Sequence, residues 1–434
     1  MRKVIDWIIN NTISPPRCKY DLNNIVNIIT DENNKVYVRK QIEILSNDVP
    51  LQCSLWYRHG SSPSKCTIYL HSAGMNQFEA LNIVPYLVTE EISLFAFDFP
   101  GCGLSGGTYL PFDGSGPPHV LNCVKHLRQK ESIEKFCLWG RSMGAAIALE
   151  TVSLYSNEFA CVVSDSSFCN LDELFKYQIK RKGCPKFLVA SILKYFKKEV
   201  KNSYKQSNQL SKTSKKYSQK EKSRKRLIGK NRIRNFSEGD ENYENLNNDN
   251  DNTNNYYFQN QNRDNSTNNP DFKFPLISVS KGETPLLIGH GKQDTFVPSI
   301  QGQKLFNSYG SMNKQFYVFD AVHFKSRPYY WYENAARFIY RHMSISARPR
   351  FYENVYGGSN LHIGEVESII DNLFIHTVDS DYEVSDVLSD NAYSNNQKNN
   401  KHKVKISQDV DDNDEVFLSI GDNDDINNLD SIDD

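Results

Sequence analysis

One stretch restricts this chain more than any other: Phe136-Cys137-Leu138-Trp139-Gly140-Arg141-Ser142-Met143-Gly144-Ala145-Ala146-Ile147-Ala148-Leu149-Glu150. An apolar run ends in glycine, a serine stands at the apex of Gly-x-Ser-x-Gly, and a small-residue helical pattern follows. This is the sequence form of a nucleophile elbow, a sharp strand-to-helix turn that holds a serine hydroxyl clear of a sheet. Glycine is required on both sides because so tight a crossing leaves no room for Cβ atoms. A five-residue pattern recurs by chance, so its weight rests on the residues around it.

Those surroundings read as a parallel sheet. Four short apolar runs each end in a polar or glycine-rich loop: Cys66–Leu70, Leu94–Phe97, Phe136–Trp139 and Cys161–Val163. Segments able to form helices separate them. Runs apolar on both faces that alternate with helices indicate parallel strands buried on both sides. Val36–Arg39 with Ile42–Leu45, interrupted by a polar break, and Leu51–Tyr57 precede them as a hairpin, with Asn47-Asp48 as its turn. Pro285–Gly289 and Gln315–Phe319 come late. The expectation is an α/β fold with about eight strands.

The 434 residues are only 38% hydrophobic, and the formal net charge of -1 hides strong segregation. An N-terminal arm, 1–35, is expected to pack on the domain, with Met1–Asn10 as a short amphipathic segment. Residues 36–200 form the first part of the core and the start of a cap, ending in an amphipathic helix over Phe187–Lys198. Residues 201–271 turn basic and then rich in Asn and Asp; with so few apolar groups they are expected to be a disordered insert. The core resumes over 272–346, and 347–434 reads as a mostly disordered acidic tail with one short docking helix at Val366–Phe374. Nine cysteines show no Cys-x-x-Cys pair and no zinc spacing, which favours reduced thiols and a cytoplasmic location. No apolar stretch approaches the ~20 residues of a membrane span, so any membrane contact is expected to be peripheral.

A serine alcohol needs a base to take its proton, and the base needs an orienting acid. Asp294 follows the run Pro285–Gly289, and His323 follows Gln315–Phe319. Both stand in loops after strands, where a parallel sheet collects its functional groups. The expected catalytic set is Ser142, Asp294 and His323. The oxyanion donors are expected to be the backbone N–H groups of Met143 and Ala73. Asp165 is the rival acid, although Asp165-Ser166-Ser167 equally suits a helix N-cap. His71, His290 and Asp98 read as loop braces. Gly101-Cys102-Gly103-Leu104-Ser105-Gly106 matches a dinucleotide fingerprint in letters only, because Gly107 to Pro118 should keep the chain irregular until about His119, where a phosphate-binding helix would have to start at once. No cofactor or metal is expected.

On these motifs the chain resembles the serine-aminopeptidase-like α/β-hydrolases. Ile13-Ser14-Pro15-Pro16-Arg17-Cys18-Lys19-Tyr20-Asp21 looks like their Pro-Pro-Arg-x-x-Tyr-Asp segment. Asp98–Gly106, Leu138–Gly144, Asp165–Phe168 and His323 with Arg327-Pro328 correspond as well. The resemblance covers about residues 1–200 and 272–345. It implies a serine hydrolase acting on an ester, a thioester or a peptide bond, with acyl lipid or acyl-protein substrates favoured. The family usually has His-Gly where this chain has His71-Ser72, so a side chain is expected to narrow the approach to the oxyanion site. The insert falls where the family's cap lies. The alternative is a non-catalytic scaffold acting through insert and tail. The basic stretch around Lys222-Ser223-Arg224-Lys225-Arg226 suggests at most a weak contact with an anionic surface. It lacks the regular aromatic interleaving of a single-strand nucleic-acid platform.

Overall fold

The computed structural model describes residues 13–21, 25–31, 34–181, 184–185, 187–195, 197–198 and 279–345. The insert 201–271, the tail 347–434 and the segments Met1–Asn10 and Val366–Phe374 lie outside the described residues. The chain divides into two units, Met1–Ala190 with Lys273–Asp434, and Ser191–Phe272. In the second, residues 191–195 and 197–198 are helical.

The first unit is built on a nine-stranded sheet. Its strands are β1 (Ile28–Thr30), β2 (Val36–Ser46), β3 (Val49–Arg58), β4 (Lys65–Leu70), β5 (Ile92–Phe97), β6 (Lys135–Arg141), β7 (Phe159–Asp165), β8 (Leu286–Gly291) and β9 (Lys314–Phe319). They lie in the order β1-β2-β3-β5-β4-β6-β7-β8-β9. The antiparallel pairs are β1 with β2, β2 with β3 and β3 with β5; all later pairs are parallel. The α/β reading holds, with one strand more than anticipated. β1 has only three residues, too few to show a period of two. The polar break Lys40-Gln41 does not interrupt β2: Lys40 pairs with Leu55 and Gln41 with Ser54. Asn47 and Asp48 take φ of 50° and 64°, the two positive values that a two-residue hairpin turn needs.

Burial follows position in the sheet. Every residue of β5 and β8 is buried, as are nearly all of β4, β6 and β7. β9, at the edge, buries only Phe319. The helices are α1 (Val84–Leu87), α2 (Gly116–Lys130), α3 (Met143–Leu154), α4 (Leu171–Arg181), α5 (Ile300–Ser308) and α6 (Tyr329–Met343). α2 starts at Gly116, three residues earlier than expected, because Pro117 and Pro118 occupy its first turn, where a missing N–H costs nothing. α6 brings Trp331, Ala335, Ala336 and Ile339 into the core, and a Cβ on Gly289 would stand 2.3 Å from the Trp331 ring.

The elbow follows the same logic of close approach. Ser142 takes φ 51° and ψ −113° between β6 and α3, a backbone conformation that costs a non-glycine residue about 1–3 kcal/mol. Ser142 N–H donates to Asp165 O at 2.8 Å, and Ser142 O accepts from Ala146 N–H at 3.1 Å. A Cβ on Gly140 would stand 2.3 Å from Gly144 O, and one on Gly144 only 1.9 Å from Leu70 O. Gly144→Ala should therefore displace α3 from β4 and yield insoluble or non-cooperatively unfolding protein. A soluble variant with wild-type thermal unfolding would contradict this packing.

The His119 imidazole is buried under β2, where its Nδ1 lies 2.7 Å from Ser46 Oγ. Burial lowers its pKa from 6.5 to about 4, so the fold holds it neutral. Its contribution to stability is full above about pH 6.5 and is lost as the pH falls toward 4. His119→Asn keeps an acceptor near Nδ1 and removes the titration. Between pH 6.5 and 4.5, urea unfolding of the variant should lose stability less steeply than wild type, by up to ~1.4 kcal/mol per pH unit. Equal slopes would contradict the buried neutral imidazole.

Candidate active site

The parallel strands point their C-terminal ends to one edge, so the segments after β4, β6, β7, β8 and β9 share one rim. Ser142 follows β6 directly. Asp294 lies three residues beyond β8 and His323 four beyond β9. At this rim the three side chains form a continuous hydrogen-bonded chain. His323 Nε2 is 3.0 Å from Ser142 Oγ, and His323 Nδ1 is 2.7 Å from Asp294 Oδ2. All three residues are buried.

The far side of Asp294 is occupied as well: its Oδ1 accepts from Phe296 N–H at 3.0 Å and Val297 N–H at 2.7 Å. Burial alone would raise this carboxyl. His323, then His290 and the Val297 N–H, override it and hold Asp294 below its ordinary value. An ionised Asp294 fixes the His323 proton on Nδ1, which leaves the Nε2 lone pair toward the serine hydroxyl. Phe296 and Phe324 pack on the imidazole, with ring centroids at 4.9 and 4.8 Å.

Asp165 has other partners. Arg327 Nε donates to both its oxygens, at 3.1 and 3.0 Å, and Ser166 Oγ donates to Oδ1 at 2.8 Å. Burial would raise its pKa, but Arg327 and Arg141 hold it below the ordinary value. The N-cap reading of Asp165 fails. Asn170 serves at the head of α4, its Oδ1 accepting from Asp172 N–H at 2.8 Å and Glu173 N–H at 3.2 Å. Asp165 instead ends β7, five residues before that cap.

Met143 is the first residue of α3, and Ala73 lies exposed in the segment after β4. Among the described residues, neither N–H donates to a backbone carbonyl in the turns and loops. Ser72, where the family usually has glycine, is bound to Glu79. Its Oγ donates to Glu79 Oε1 at 2.8 Å and its N–H to Glu79 Oε2 at 2.7 Å, so the side chain is drawn inward and buried.

The remaining polar residues are braces. His71 Nδ1 lies 2.7 Å from Ser72 O, and its Nε2 accepts from Phe99 N–H at 2.9 Å. Burial lowers its pKa to about 4. His290 Nε2 lies 2.7 Å from Val297 O. Asp98 accepts from Gln77 N–H at 2.7 Å, Tyr20 O–H at 2.8 Å and Leu104 N–H at 2.9 Å; burial, opposed by these donors, raises it to about 6. A Cβ on Gly103 would fall on the Asp98 carboxylate, which gives that glycine-rich loop a structural purpose. All nine cysteines are free thiols, and burial pushes Cys66 and Cys102 up to about 12. Among the described residues, no group of three or more His, Cys, Asp or Glu side chains is gathered so as to hold a metal ion.

Residue-by-residue reading gave no role to Glu79 or Arg141, nor to Arg327 beyond its place in a motif. Arg141 follows the apolar run Phe136–Trp139 and Gly140 beside the nucleophile position, a place where a long cation calls for a buried partner. That signal was available; the partner, 62 residues away in sequence, was not.

Comparison with known proteins matches residues 69–324 to the α/β hydrolase fold. A search of curated proteins finds no match. Among solved structures, the esterase Pf2001 of Pyrococcus furiosus is similar at 19% identity and a TM-score of 0.45, covering 76% of this chain and 98% of its own. Est1E from Butyrivibrio proteoclasticus gives 11% and 0.42, covering 70% and 99%. The meta-cleavage product hydrolase of Pseudomonas fluorescens IP01 gives 14% and 0.39, covering 70% and 98%. The family match spans more than half of the sequence, and the chain belongs to the α/β-hydrolase fold family of enzymes.

Proposed function

We propose that this hydrolase cleaves a carboxylic ester or thioester by serine nucleophilic catalysis. The observation that carries the reading is the hydrogen-bonded chain from Asp294 through His323 to Ser142. Ser142 Oγ attacks the acyl carbonyl while His323 Nε2 takes its proton. The carbonyl oxygen gathers negative charge and is met by the N–H groups of Met143 and Ala73. Met143 also stands at the helix N-terminus, where the dipole favours an anion. His323 then delivers the proton to the leaving alcohol or thiol, and an acyl-serine remains. Water, deprotonated by the same imidazole, attacks the acyl-serine and releases the acid. Asp294 keeps the imidazole in the required tautomer and stabilises its cation.

The serine-aminopeptidase-like subtype, suggested by the motifs from Pro15 to Tyr20 and by Arg327-Pro328, belongs to this proposal. So does the preference for acyl lipid or acyl-protein over peptide. The insert 201–271, which falls where the family's cap lies, is outside the described residues. No helix among the described residues is long and apolar enough to cross a membrane. A cytoplasmic location, with at most weak contact between the basic stretch and an anionic surface, completes the reading.

The test is a chain-length series of p-nitrophenyl esters and acyl thioesters, with Ser142→Ala as the blank. Wild type should turn over at least one member, and the blank none. Asp294→Asn should lower kcat by about 10⁴-fold through the wrong tautomer. Near-wild-type turnover by that variant would return the acid's role to Asp165. A folded wild type inert toward the whole series would favour the scaffold reading.

A further inference from the structure

Glu79 and Arg141 are side chains that the reaction does not consume, yet both are almost wholly buried at the rim. Glu79 lies in the 3₁₀ turn Gln77–Ile83, one element after the segment that holds Ala73. Its two carboxylate oxygens accept both the N–H and the O–H of Ser72, the residue before that oxyanion candidate. On its other side, Glu79 Oε1 is 3.5 Å from Arg141 Nη1. Arg141 Nη2 then donates to His323 O and Lys325 O, each at 2.8 Å. A second buried pair continues the grip. Arg327, bound to Asp165, donates through Nη1 to Val322 O at 2.7 Å and Lys325 O at 3.1 Å. Two guanidinium groups, each faced by a buried carboxylate, thus hold the carbonyls of residues 322, 323 and 325. The cavity between them is lined by Tyr69, Tyr332, Asn82 and these charges.

Buried ion pairs are weak devices for stability, since apolar residues of similar volume serve as well or better. What this arrangement supplies is a fixed distance between two loops that come from strands far apart in sequence. We propose that Glu79 and Arg141 are positioning residues that tie the oxyanion loop at Ser72-Ala73 to the histidine loop at Val322–Lys325. The proposal rests on the triad reading above. In the ground state a substrate carbonyl needs little from this strut. In the transition state the N–H of Ala73 must meet the oxyanion while His323 Nε2 meets the proton of Ser142. Misplacing one loop relative to the other by about 1 Å costs on the order of 10²-fold in rate.

Glu79→Gln keeps the side-chain volume and one acceptor for Ser72 but removes the charge facing Arg141. With the best ester found for wild type, kcat should fall by about 10²-fold while KM stays within about twofold. A trifluoromethyl ketone, which adds to Ser142 as a tetrahedral oxyanion, should bind more weakly by about the same factor. A merely structural role would lower thermal stability and leave kcat per titrated active site and ketone affinity unchanged, and that result overturns the proposal. If Glu79→Gln does not fold, Ser72→Ala decides. It cuts one bond of the strut and leaves the ion pair intact, and it should lower kcat and ketone affinity together by several-fold; no change in either overturns the proposal. A wild type without ester or thioester turnover would overturn the triad reading and this proposal together. An active wild type with unaltered Glu79→Gln kinetics would overturn this proposal alone.

Discussion

The first turn of α3 runs against the end of β4 with no space for a side chain between Gly144 and the carbonyl of Leu70. That approach dictates much of what lies above it. It brings the first turn of α3 against the end of β4 and the start of the segment that holds Ala73. It also requires the chain to turn within a single residue after β6, which puts Ser142 at a positive φ. The strain is local and is held by regular structure on both sides, with β6 paired to β4 and β7 and α3 packed on the sheet.

Around the elbow the rim is held by buried charge as well as by the packing of Phe296 and Phe324 on His323. Asp294 is held below its ordinary value against its burial by His323, then by His290 and the Val297 N–H. Burial would likewise favour a neutral Arg141, and Glu79 and Asp165 override it. Asp294, Asp165 and Arg141 are thus each compensated by a partner on a different segment. In a low dielectric this makes the loops interdependent, because removing one partner leaves the other buried and unpaired. The same economy separates the two candidate acids. Asp165 is committed to Arg327, and Asp294 is the carboxylate that meets the imidazole.

Much of this was legible in the sequence because it is written in local patterns. Apolar runs of three to seven residues mark the buried strands, glycines mark the elbow, and the order serine, aspartate, histidine follows the order of strand ends. Asn47-Asp48 specified its own turn. The misses have a common physical cause. β1 is too short to carry a period, and Lys40-Gln41 looked like a break because a polar pair on a strand near the sheet edge resembles one. The partner of Ser72 was not legible because the carboxylate that binds it, Glu79, lies on the following turn, and no residue type announces a partner. Asp165 fits an N-cap pattern, yet Asn170, closer to the first turn of α4, takes that place. Periodicity reports faces and turns; pairing of buried charges across loops is a property of the assembled rim.

The central claim is that Ser142 is the nucleophile, made reactive by its place in this hydrogen-bonded chain. Its most direct test is mass spectrometry of the folded protein after reaction with a fluorophosphonate. Trypsin cleaves after Arg141, so the reactive peptide begins at Ser142, and fragmentation separates that serine from Ser166 and Ser167 further along the same peptide. The account predicts one adduct, on Ser142, that is lost when the protein is unfolded before reaction. An adduct on another serine, or none on the folded protein, would contradict it.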